Sequence, residues 1–176
     1  MQEPLNRESG SKTLDALTNM QPLHYIPLQH LGMAKKAGLL AIGSDAVKSA
    51  AMSGKVKLVA ITTDISEGSA KQARYYAEDS NAVFIETPYN KFEFGRVVGR
   101  GSPGVLAILD AGLAEGFMKK LTDLDSNRYS EQKKIIENVA KKAKKITYDT
   151  KKGSKKTGKR KYHRKGGQAN EWNTNV

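Results

Sequence analysis

The chain has 176 residues, about one domain's worth. It carries 30 Lys and Arg against 18 Asp and Glu, a net charge of +12, with 38% hydrophobic and 7% aromatic residues. No apolar run reaches the ~20 residues that span a bilayer, the start MQEPLNRESGSKTLDAL lacks the apolar core of a secretion signal, and the absence of Cys excludes disulfides, thiol nucleophiles and Cys-ligated metals, which suits a reducing, cytoplasmic setting.

Residues 1–23 are polar, carry Pro and Gly, and read as a flexible leader with at most a short helix near Leu14–Leu17. A first helix is expected from Pro27, placed in its first turn where the missing N–H costs nothing. Leu28, Leu31 and Ala34 follow at helical spacing, and Gly38 ends it after Lys35 and Lys36. Leu39–Ile42 is a short strand. Ser44 is the expected cap of a second helix that carries Asp45, Val47, Ala50 and Ala51 and stops at Gly54. Lys57–Thr62 is a buried strand. A loop through Asp64 and Ser66 opens a third helix containing Ala70, Ala73, Tyr76 and Ala77, and Ala82–Ile85 is the third strand. The turn Thr87-Pro88-Tyr89-Asn90 precedes a short helix, Lys91–Val98, ending at Gly99. After the loop Arg100–Gly104 come a fourth strand, Val105–Leu109, and a helix from Asp110 to Leu121. The alternation of short apolar strands with helices predicts an α/β sandwich whose sheet is covered on both faces.

Residues 122–129 read as a linker and 130–147 as a basic amphipathic helix with an apolar stripe of Ile135, Val139, Ala143 and Ile146. That stripe either docks on the body or orders on a partner. Between Glu131 and Lys165 there are 15 Lys and Arg against three acidic residues, so this segment accounts for the whole net charge. Residues 148–176 read as a disordered basic tail, with Lys151, Lys152, Lys155, Lys156, Lys159, Arg160, Lys161, Arg164 and Lys165 as a phosphate-binding arm. Such an arm attracts polyanions strongly but without sequence preference, and its binding is sensitive to salt. A solvated tail kept for solubility and an anionic membrane surface are the alternatives. No lipidation motif or apolar anchor favours the membrane. Trp172 stands alone in the polar terminal segment.

Positive signs of catalysis are lacking. His24, His30 and His163 have no acidic partner at metal-ligand spacing, so no metal or other cofactor is implied. Arg100–Gly104 lacks the Gly-Lys-Ser/Thr of a phosphate loop and precedes a strand instead of following one. The expectation is a non-catalytic protein.

Several segments share a family pattern in order and spacing. They are Leu31-Gly32-Met33-Ala34-Lys35-Lys36-Ala37-Gly38, Gly43-Ser44-Asp45-Ala46-Val47, Ser53-Gly54-Lys55-Val56-Lys57-Leu58-Val59, Thr63-Asp64-Ile65-Ser66, Phe94-Gly95-Arg96-Val97-Val98-Gly99 and Val105-Leu106-Ala107-Ile108-Leu109-Asp110. Over residues 31–121 the chain resembles the ribosomal protein L7Ae/L30e superfamily, and within it the small bacterial members of the YlxQ type. The resemblance implies a three-layer α/β/α sandwich on a four-stranded mixed sheet. It also implies binding of ribosomal or other structured RNA, usually at kinked stem–internal-loop elements. The positions it implies for RNA contact run from Gly43 to Ser49 and from Gly99 to Gly104, giving Gly43, Ser44, Asp45, Lys48, Arg100, Gly101 and Ser102, with Lys35 and Lys36 as further phosphate contacts. Asp45 and Ala46 stand where kink-turn binders carry an Asn-Glu pair, and Ser49 where they carry Lys. This favours readout by shape and charge over readout of kink-turn bases.

The expected protein is therefore a monomeric, ribosome- or translation-associated RNA binder, with residues 24–121 as its RNA-binding domain. Two rivals remain: a module that binds ribosomal proteins or translation factors and is tethered near RNA by its tail, and a DNA-associated basic protein.

Overall fold

Four runs of branched and small apolar residues pair into one sheet in a computed structural model that describes residues 9–99 and 101–157, with side chains from 23 to 151. The strands are β1 (Leu40–Ile42), β2 (Leu58–Ile61), β3 (Val83–Glu86) and β4 (Val105–Ile108), each within a residue or two of its expected bounds. Their order is β1-β4-β2-β3. β4 runs antiparallel to β1 and β2, while β2 and β3 are parallel. The central strands β2 and β4 are buried at every residue, which is why their sequences are continuous apolar runs instead of alternating ones.

Helices cover both faces. On one face Val59, Ile61, Val105 and Ala107 pack with Val47 and Ala51 of α2 (Ser44–Met52) and Ala73, Tyr76 and Ala77 of α3 (Glu67–Asp79). On the other, Leu58, Ile85, Leu106 and Ile108 meet α1 (Ser9–Lys36), α4 (Lys91–Val98) and α5 (Ala111–Leu124) through Leu28, Leu31, Phe94, Phe117 and Leu121. This is the expected three-layer sandwich.

The helix ends follow local chemistry, with four departures from expectation. First, α1 begins at Ser9, inside the segment read as a leader, and passes through Pro27 instead of starting there. Proline inside a helix costs ~3 kcal/mol, offset here by complete burial of Leu28, Leu31 and Ala34 just beyond it. Gly38, at φ 70°, ends the helix as expected, with its N–H on the Lys35 carbonyl and the Leu39 N–H on that of Ala34. Second, the cap of α2 is Gly43, and Ser44 is its first helical residue. Third, α5 runs to Leu124 and α6 spans Ser126–Thr157, so the expected linker 122–129 shrinks to Asp125.

Fourth, the buried side of α6 is rotated from the expected stripe. Tyr129, Ile136 and Ala140 are buried, while Ile135 and Ile146 are exposed. Tyr129 fixes the start of the helix by donating its hydroxyl to the Glu86 carbonyl at 2.8 Å, on the outer edge strand β3. The chain divides into two units, residues 1–143 and 144–176. In the second unit, residues 144–151 are helical and exposed. The remainder of the expected basic tail, 158–176, lies outside the described residues, as does Trp172.

Candidate nucleic-acid interface

Strand direction gathers the candidate site. β1, β2 and β3 point the same way and β4 the opposite way. The loops that leave β1, β2 and β3 therefore emerge at the edge where the chain enters β4, and each leads into a helix. The first turns of α2, α3 and α4 meet there around a groove of about 230 Å³. Its walls are Gly43 and Ser44, then Ile65, Ser66 and Ser69, then Lys91, and finally Gly104 and Val105. The two segments that sequence reasoning singled out, after β1 and before β4, thus share one surface.

The helix starts are not equivalent. Ser66 caps α3 by accepting from the Ser69 N–H. Asn90 and Glu93 form a reciprocal capping box on α4, with both bonds at 2.9 Å. Asp110 caps α5 at 2.8 Å. At α2 the cap is Gly43, which has no side chain to accept from the first-turn N–H groups, and no other side chain among the described residues does so. Gly43 sits at φ 87° and ψ 164°, a conformation that strongly favours glycine. Its own N–H is taken by the Val105 carbonyl at 3.0 Å, which ties the two loops together. A helix start with free donors and positive dipole is a natural seat for phosphate or for base acceptors.

Asp64 lies beside two of these walls. Its Oδ1 accepts from the Lys91 N–H at 2.9 Å, joining the loop after β2 to the start of α4. Loss of water around the Asp64 carboxyl works to raise its pKa. Hydrogen bonds from the Thr62 side chain and the Lys91 amide, together with the Lys91 charge, outweigh that and hold it below 3.8.

The remaining expected residues divide. Asp45 lies exposed in the first turn of α2, and Lys48 is exposed farther along. Lys35 is exposed, and its Nζ donates to the Val98 carbonyl at the end of α4. Lys36 is exposed. Gly101 and Ser102 are exposed but do not line the groove. Gly101 instead lies over α4, where a Cβ on Gly95 would collide with its carbonyl oxygen. Arg100 lies outside the described residues. Of the basic arm, Lys151 is exposed on α6. The side chains of Lys152, Lys155 and Lys156, and Lys159 to Lys165 altogether, are outside the described residues.

Sequence reasoning missed Ser69 and Lys91 as wall residues and left Ser66 as a helix start only. The capping pairs Ser66 with Ser69 and Asn90 with Glu93 are the local signals available for these two starts, but only the strand order brings them to the edge that carries Gly43. His24 also has an acidic neighbour that spacing did not show: Glu93 Oε1 lies 3.3 Å from its Nε2, while Oε2 of the same carboxylate serves the α4 capping box. Among the described residues no group of three His, Cys, Asp or Glu could hold a metal, and no helix is long and apolar enough to cross a membrane.

This α/β/α sandwich, with an uncapped helix start joined to the loop before its last strand, defines a class. Residues 28–117 match the ribosomal protein L7Ae/L30e/S12e/Gadd45 family, and the chain belongs to it. Among curated relatives, the RNA-binding protein YlxQ of Bacillus subtilis strain 168 is 30% identical over 109 residues, covering 60% of this chain and 98% of that protein. A solved structure of a protein with unknown function from Bacillus halodurans shares the fold, with a TM-score of 0.50 and 23% identity over 55% of this chain and 96% of its own.

Proposed function

We propose that the protein is a non-catalytic binder of structured RNA, of ribosomal type or otherwise associated with translation. It holds the RNA in the groove between Gly43–Ser44 and Gly104–Val105, and the basic arm adds affinity without specificity. The observation that carries this reading is the uncapped start of α2 opening into that groove beside Lys91. Family membership and the name of the YlxQ relative support RNA as the ligand. With Asp45 and Ala46 on α2, recognition rests on backbone shape and phosphate, not on the purine edges of a kink-turn.

Ser44→Glu tests it. An acidic residue in the first turn favours the helix dipole, so α2 should keep or gain stability. The same carboxylate blocks phosphate. Binding of a kinked stem–internal-loop RNA by the full chain should fall at least tenfold with an unchanged melting temperature. Unchanged affinity would place the RNA elsewhere.

A further inference from the structure

A second cavity, of about 200 Å³, lies at the outer edge of β3, where α6 meets the body. Its lining includes Arg74 of α3, Phe84 and Glu86 of β3, and Arg128, Tyr129 and Gln132 of α6. Three of the seven lining residues come from beyond residue 117, outside the family-matched segment.

The groups are arranged as a recognition set. Arg74 approaches Glu86 Oε1 at 3.5 Å and Arg128 approaches Oε2 at 3.7 Å. Both contacts are long, about half exposed and worth little, so a ligand can replace them cheaply. Each guanidinium is backed by an aromatic ring: Arg74 lies 4.4 Å from the Phe84 centroid and Arg128 5.5 Å from that of Tyr129. A guanidinium steadied by a ring in this way is placed to meet a base. In the wall, Gln132 Oε1 is buried and accepts no hydrogen bond. The cavity therefore offers one carboxylate acceptor, Glu86, beside two fork-shaped donors. The carboxylate disfavours a purely anionic ligand such as an acidic peptide. It favours a planar group carrying adjacent donors on one edge and acceptors on another.

Among the RNA bases only guanine has that edge pair, with N1–H and N2–H side by side and O6 and N7 as acceptors suited to arginine. Adenine, cytosine and uracil each place an acceptor beside their donor, facing the carboxylate. We propose that this cavity binds an unpaired guanine base, its N1–H and N2–H on the Glu86 carboxylate and its acceptors toward Arg74 and Arg128. The site is distinct from the groove at α2 and goes beyond the proposed function.

Calorimetry on the full chain tests it with guanosine monophosphate, adenosine monophosphate, an acidic peptide, and uridine hexamers with and without one central guanosine. The two mononucleotides share a phosphate, so their ratio isolates the base. The expected result is at least tenfold tighter binding of the guanosine ligand, free or within the oligomer. Glu86→Gln should lose that tenfold. Glu86→Gln retains the main-chain carbonyl that anchors Tyr129, so its melting temperature should hold. Selective binding of the free nucleotide would mean a nucleotide ligand, and binding only within the oligomer an RNA one. Equal binding of adenosine, undiminished binding by Glu86→Gln, or binding of the acidic peptide alone would overturn the proposal.

Discussion

Tyr89 has no solvent-exposed surface, and its hydroxyl donates to the His24 carbonyl at 2.7 Å, joining the segment before α4 to α1. Burial, reinforced by Glu93, pushes its pKa above 10 and keeps it a neutral donor. Tyr89→Phe should therefore destabilise the fold by about 1–3 kcal/mol, measured by urea unfolding. A neutral result would mean that α1 is held by its apolar residues alone. Asp64 makes a second prediction at this scale. Its folded pKa is depressed, so its contribution to stability is complete above the unfolded value of 3.8 and is lost as pH falls through the lower folded value. The Lys91 amide resonance should titrate with a midpoint below 3.8, and a midpoint at or above it would contradict the bond. Neither role is legible in the sequence. Both depend on partners 65 and 27 residues away. The bond from Lys35 to the Val98 carbonyl is hidden for the same reason, since it shows only once the end of α4 is placed beside that lysine.

At the scale of elements, α4 is legible with its true bounds because Asn90, Glu93 and Gly99 carry start and stop signals that need no tertiary partner. The start of α2 reads one residue late, since serine is the better cap in isolation. Here the chain must bond the Gly43 N–H to Val105 and turn through φ 87°, which glycine alone does readily. Helix α6 shows a different limit. Its apolar residues form two lines one position apart, Ile135 with Val139 and Ile136 with Ala140, and periodicity cannot choose between them. The choice is made by Tyr129, which sequence reasoning leaves outside the helix. Ile136→Ala should cost about 2–5 kcal/mol and Ile135→Ala no more than about 0.5 kcal/mol, compared by chemical denaturation. The reverse order would restore the expected stripe.

At the scale of the molecule, the sheet is legible because its strands are short, continuous and apolar. The order β1-β4-β2-β3 is not, and it is what brings three helix starts to one edge. The structure also moves the end of the body. A chain stopped at Leu121 would strip Tyr129 and Ile136 from the core, whereas one stopped at Ala143 keeps them. That truncation removes the basic arm and isolates the groove. The most direct measurement is the salt dependence of affinity for a kinked stem–internal-loop RNA and for a straight duplex, by the full chain and by residues 1–143. Removing the arm should weaken both RNAs and flatten the slope by ~0.7–0.9 for each phosphate that is no longer neutralised, while preference for the kinked RNA persists. If that preference vanishes with the arm, the groove is not where RNA is recognised.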